Sequence, residues 1–137
     1  MSSFRIFDIA GSGMSAQSVR LNTVASNLAN AESVSGDPAQ VYRARHPVFR
    51  AVQPSATDAA SSGVQVAGIT ESRAEPQRRY EPGNPLADAQ GYVYAPSVNV
   101  VEEMVDMISA SRAYQNDVEV MNTARNLMLA TLKLGQG

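Results

Sequence analysis

The residues able to do chemistry are few in this chain, and their spacing is poor for it. His46 is the single histidine and there is no cysteine. A catalytic triad, a histidine metal site or a histidine general base would all have to use His46. It stands beside Pro47 in a β-prone stretch, with no Asp or Ser motif around it, and reads as a surface or structural residue. Gly11-Ser12-Gly13 is a fragment of a phosphate-binding loop at most. No strand precedes it, and neither a third spaced glycine nor Gly-Lys-Ser/Thr follows, so small residues on a helix face is the plainer reading. Glu71, Glu75, Glu81 and Asp88 are acidic, but a pair of carboxylates works only across a cleft, and a short chain with a Pro-rich middle offers little cleft. No catalytic residue, cofactor site or metal site is expected.

Composition excludes further classes. The 137 residues suit one compact unit, and the formal net charge is −2 with no basic run, so the footprint for nucleic acid is missing. Apolar runs are only a few residues long, against the ~20 that a membrane span needs. Met1–Ile9 has neither a basic stretch nor an uninterrupted apolar one, and is not expected to be a cleaved signal peptide.

The elements that must carry the function are set out by proline. All seven prolines lie between Pro38 and Pro96, and both flanks are free of them. Proline lacks a backbone donor and clashes inside helices, so the flanks can be long helices and the middle cannot. The chain is therefore expected to be mainly α with a small β region, divided into residues 1–30, 31–97 and 98–137. In the first flank Phe7, Ala10, Met14, Gln17, Leu21, Val24 and Leu28 recur at spacings of three and four, a heptad seam with one polar position. The rest of that helix is Ser, Asn and Thr, with Arg20 the only charge after Asp8. Such a surface lacks the Lys and Glu of a solvated face and has low helix propensity. It suits a helix surrounded by other helices.

The last flank is the stronger helix. Asn99 can cap it and Glu102 can reach back, while Glu102, Glu103 and Asp106 lie near the positive end of its dipole and Lys133 near the negative end. Gly135 is the expected terminator. Val101, Met104, Val105, Ile108, Tyr114, Val118, Met121, Leu127, Met128, Leu129, Leu132 and Leu134 cover more than one stripe. About 36 residues at 1.5 Å each make a rod of roughly 54 Å, longer than a globule of this size needs. Between the flanks, Val41–Val52, Gly63–Ser72 and Gln90–Ala95 are strand candidates, Glu81–Pro85 is a turn, and Pro54–Gly63 is an Ala/Ser-rich flexible loop. A helical hairpin closed on itself would also explain the stripes, but not the charge-poor first helix or the unequal helix lengths.

Val24-Ala25-Ser26-Asn27-Leu28-Ala29-Asn30 resembles the signature that ends the N-terminal helix of bacterial flagellar axial proteins, the rod and hook family. Ser109–Asn116 and Leu132–Gln136 resemble that family's C-terminal helix. Phe7–Ser12, Tyr80–Asp88 with Gly91-Tyr92-Val93, and Asn99–Val105 are most similar to its proximal-rod members. Residues 53–75 match no motif. The resemblance implies that the terminal helices pair as a coiled coil inside a helical tube, with a Pro-rich β/loop segment outside. It implies a structural rod subunit in the periplasm, exported by the flagellar type III apparatus without a cleaved signal, that transmits torque. Its partners would be other copies, sister proximal and distal rod proteins, the rod-base adaptor and the membrane-ring protein. The expected assembly residues are Phe7, Met14, Leu21, Val24, Asn27, Leu28, Asn30, Val105, Ile108, Tyr114, Val118, Met121, Leu129 and Leu132. Asn27 and Asn30 are expected to bond the turn where the first helix ends. A stand-alone adaptor or chaperone is the competing reading, and termini folded and protease-resistant in the monomer would favour it. A deep polar pocket around His46 would favour an enzyme.

Overall fold

The computed structural model describes residues 3–53 and 61–137. Most of the expected loop Pro54–Gly63 lies outside them. Helix α1 runs Ser3–Asn30, strands β1 and β2 run Arg45–Val52 and Gly63–Glu71, β3 and β4 run Gln77–Tyr80 and Tyr92–Ala95, and helix α2 runs Val100–Gly135. The fold is mainly helical, with two small antiparallel sheets.

Both helices end for local reasons. Asn99 caps α2, its side-chain oxygen accepting from the amides of Val101 and Glu102. Glu102 and Glu103 follow in the first turn and Lys133 lies in the last. Asn30 closes α1 by donating from its amide to the Ser26 carbonyl (2.9 Å), while its own carbonyl accepts from Ser33. The expectation for Gly135 needs correction. It is the last helical residue, and the only positive-φ glycine among the described residues is Gly91. The residue that follows, Gln136, is right-handed (φ −94°, ψ −9°), so the helix ends without a left-handed cap.

The ribbon β1–β2 pairs Arg45 with Glu71 through to Val52 with Gly63. Its register shifts between Val48 and Phe49, where Val48 faces Gly68 and Phe49 faces Val66, leaving Ala67 as the extra residue of a bulge. Pro47 is tolerated because a two-stranded ribbon has a free edge on each strand. The hairpin β3–β4 closes over Glu81–Gly91. Asp88 organises that turn by accepting from the amides of Gln90 and Tyr92 (both 2.9 Å), and the Tyr92 amide above all holds its carboxyl below the usual carboxylate range. Gly91 takes φ +83°, and a Cβ there would meet Tyr80 and Pro82. Tyr80 and Tyr92 pack with centroids 5.1 Å apart, and the Arg78 guanidinium lies 3.6 Å over the Tyr92 ring. Backbone bonds between Ser35 and Tyr94 (2.9 and 2.8 Å) bind β4 to the chain leaving α1.

The core is built from small side chains. Its buried apolar residues are Ala10, Ala16, Val24, Ala31, Val41, Ala44, Val93, Ala95, Ala110 and Ala124. Leucine, isoleucine and phenylalanine are absent from that set, although their burial stabilises most.

Candidate assembly interface

Helices α1 and α2 lie antiparallel, and named contacts set their register. Ile6 and Ala124 line one groove, Gly13 approaches Asp117, and Asn27 bonds Glu103. Ile6, Gly13 and Asn27 lie on one heptad line of α1, and Glu103, Ala110, Asp117 and Ala124 on one heptad line of α2. Successive contacts thus step by a whole heptad or a multiple of it on each helix. Arg20, on the same α1 line, forms an ion pair with Asp106. Small residues let the backbones come close: a Cβ built on Gly13 would stand 2.5 Å from a carboxylate oxygen of Asp117.

Asp117 has no hydrogen-bond or ion-pair partner among the described residues, and burial raises its carboxyl above the ordinary value. The folded pKa then lies above the unfolded one. Stability from this group is greatest below the unfolded pKa and falls as pH rises through the folded pKa. Asp117→Asn is therefore expected to raise the melting temperature at pH 7. The gain should fade as pH drops below about 4, where both states are protonated. Equal gains at pH 7 and pH 3 would contradict this.

Asn27 is fully buried where α1, α2 and β1 meet. Its Oδ1 accepts from the Tyr42 hydroxyl (2.8 Å) and the Arg45 amide (2.9 Å). Its Nδ2 donates to the Arg45 carbonyl (2.9 Å) and to Glu103 Oε2 (3.0 Å). Of the two asparagines expected to bond the turn after α1, Asn30 does so. Asn27 instead reaches across to β1 and α2. Ser12 ties the ribbon to the same helix: its hydroxyl donates to the Ile9 carbonyl (2.7 Å) and accepts from the Val64 amide (3.1 Å). The Gly11–Gly13 run therefore serves packing and β2 attachment.

The expected assembly residues divide by exposure. Val24 and Asn27 are buried within the chain, and Phe7, Met14, Leu21, Leu28, Asn30, Tyr114, Val118 and Met121 are half-buried. Val105, Ile108, Leu129 and Leu132 stand exposed, at 61, 55, 46 and 61%. They belong to two apolar patches at opposite ends of α2. Val101, Met104, Val105 and Ile108 form the first, on one side of the helix; at the other end Leu129 and Leu132 share one side and Leu127 and Leu134 another, Leu127 lining a groove with Ile6. The outer face of α1 shows only Ser15, Ser18, Asn22, Ala25 and Ala29 after Asp8. Sequence reasoning missed Arg20 and Glu103 as packing residues. Their spacing of seven from Asn27 and from Ala110 was the available signal.

Several of the residues first weighed for chemistry have structural partners. His46 is exposed on β1, its carbonyl accepting from the Thr70 hydroxyl (3.2 Å). Glu71 pairs with Arg45 (3.2 Å) and Glu81 accepts from the Asn84 amide (2.9 Å). No cluster of three or more His, Cys, Asp or Glu fit to hold a metal occurs among the described residues, and none of their helices is long and apolar enough to cross a membrane.

Comparison with known proteins falls on the same elements. Residues 7–36 match the model of the flagella basal body rod protein family. Residues 89–134 match that of the C-terminal region of the flagellar basal body rod FlgEFG proteins. The flagellar basal-body rod protein FlgC of Escherichia coli O6:H1 is 57% identical over 136 residues, covering 99% of this chain and all of the relative. The chain belongs to the FlgC family of flagellar basal-body rod proteins. The FlgC of Yersinia enterocolitica is 56% identical over 137 residues, and that of Bacillus subtilis 33% identical over 150, each again along 99% of this chain and all of the relative. The FlgC family consists of structural rod subunits and not of enzymes.

Proposed function

We propose that this chain is a subunit of the proximal rod and that its terminal helices pair as a coiled coil which neighbouring subunits complete. The observation that carries this is the inversion of the core. Alanine and valine fill the interior, while Val105, Ile108, Leu129 and Leu132 face outward on a helix of 36 residues. Apolar patches of that kind mark interaction surfaces. The heptad spacing of the Gly13–Asp117 and Asn27–Glu103 contacts supports coiled-coil geometry.

In this reading residues 1–30 and 98–137 are axial helices and residues 31–97 are an outer segment. The assembly face comprises the half-buried seam Phe7, Met14, Leu21 and Leu28 together with the patches on α2. Before assembly the outward stripes of the helices lack partners, and entry into the rod covers them, burial offsetting the entropy of ordering. The partners are other copies, sister proximal and distal rod subunits, the rod-base adaptor and the membrane-ring protein. The chain reaches the periplasm through the flagellar type III apparatus and there becomes part of the shaft that carries torque.

A strain lacking this chain tests the reading by electron microscopy of its basal bodies. The expected result is loss of rod and hook with the membrane ring intact. A complete rod in that strain would contradict it.

A further inference from the structure

The helix pair is lined by residues that discriminate poorly between registers. Ile6, Gly13, Ala110 and Ala124 are apolar or small, and a slip of α2 by one heptad would place similar residues opposite one another. Asn27 and Glu103 are the buried polar pair of the seam; Arg20 and Asp106 also pair, with side chains 26 and 32% exposed. Asn27 is 0% exposed and Glu103 7% exposed, and they meet at 3.0 Å. A slip in one direction sets Asn27 opposite Ala110; in the other it carries Glu103 to the level of Arg20, away from the amide. Either breaks the Asn27–Glu103 bond and leaves the buried Asn27 amide hydrogen without that acceptor, and in the second Glu103 can meet Arg20 only by taking it from Asp106. Buried polar groups tolerate this badly.

The other three bonds of Asn27 have a separate consequence. Its amide accepts from Arg45 N and donates to Arg45 O, as a neighbouring strand would, at the first residue of β1. Tyr42, which donates to the same amide, also bonds Ser26 (3.1 Å) and lies under the Arg45 guanidinium at 5.7 Å. One side chain on α1 thus addresses α2 and the start of the ribbon together.

We propose that Asn27 is a register clasp, a positioning residue that admits one pairing of α1 with α2 and makes the seating of β1 conditional on that pairing. A buried polar residue that fixes register while apolar neighbours supply stability is a known device in helix pairs. Here the device reaches one element further, so that the helix pair and the β region take one fixed orientation in every subunit.

The absence of cysteine allows a direct test. A Cβ on Gly13 lies 2.9 Å from Cγ of Asp117, so cysteines at these two positions face each other at close range. G13C with D117C reports the native register; G13C with A110C or with A124C reports a slip of one heptad. Each pair is placed in the full chain and oxidised in cells lacking the unaltered copy. With Asn27 present, only G13C/D117C should bridge. Adding N27D should reduce that bridge at least fivefold, because carboxylate then meets carboxylate, and adding E103Q to N27D should restore it in large part. An unchanged bridge with N27D would overturn the proposal. So would failure of E103Q to restore it, since general misfolding would not respond to a change on the other helix.

Discussion

Ile108→Asp should abolish swimming while leaving the amount of chain and its own fold unchanged. Ile108 is 55% exposed, so a carboxylate there meets water in the isolated chain and costs little. In a rod whose neighbours cover this face, the same carboxylate is buried without a partner, a cost of several kcal/mol for each subunit. Leu132→Asp, at 61% exposure in the second patch, should behave alike. Arg112→Asp is the control. It changes charge at an exposed position between the patches and should be nearly neutral. Swim-plate diameter, immunoblots of chain level and counts of hook-basal bodies measure all three. Normal swimming in both Ile108→Asp and Leu132→Asp would show that these patches stay open to solvent.

Gly36→Val should give temperature-sensitive swimming for a different reason. A Cβ at position 36 would lie 2.4 Å from the Leu86 carbonyl oxygen. The obstacle is backbone, so rotation of a side chain cannot relieve it. Gly36 follows Ser35, whose backbone bonds to Tyr94 hold β4 against the exit of α1, so the strain falls on that junction. Overpacking of this kind costs about 1–3 kcal/mol, and a branched side chain belongs at the upper end. Swimming should persist at low temperature and fail on warming, with faster proteolysis around residues 35 and 86. Gly83→Val is the comparison, because nothing lies within 4 Å of a Cβ there. Equal behaviour of the two variants would contradict the account of Gly36.

Much of the fold was legible because proline and hydrophobic spacing act locally. The proline-free flanks are α1 and α2, Asn99 caps as its position before Glu102 suggests, and the Val-rich runs became β1, β2 and β4. Strand β3 was not legible. Gln77-Arg78-Arg79-Tyr80 has no alternating apolar face, and it is held by β4, by the Tyr80–Tyr92 contact and by Arg78 over a ring. The side of α1 that meets α2 was legible only in part. Hydrophobic spacing selects Phe7, Ala10, Met14, Gln17, Leu21, Val24 and Leu28, of which Ala10 and Val24 are buried, whereas named contacts with α2 come from Ile6, Gly13, Arg20 and Asn27. A pattern search gives weight to large apolar side chains, and here the helices approach through small and polar ones. The fourfold bonding of Asn27 depends on residues 15, 18 and 76 positions away and has no local signal.

The central claim is that neighbouring subunits cover the two apolar patches of α2. A density map of the intact basal body, resolved well enough to place side chains in the rod, tests this most directly. The account predicts that Val105, Ile108, Leu129 and Leu132 lie against helices of adjoining subunits, with the Asn27–Glu103 contact kept inside each chain. A rod in which those four side chains face solvent or an open lumen would contradict it.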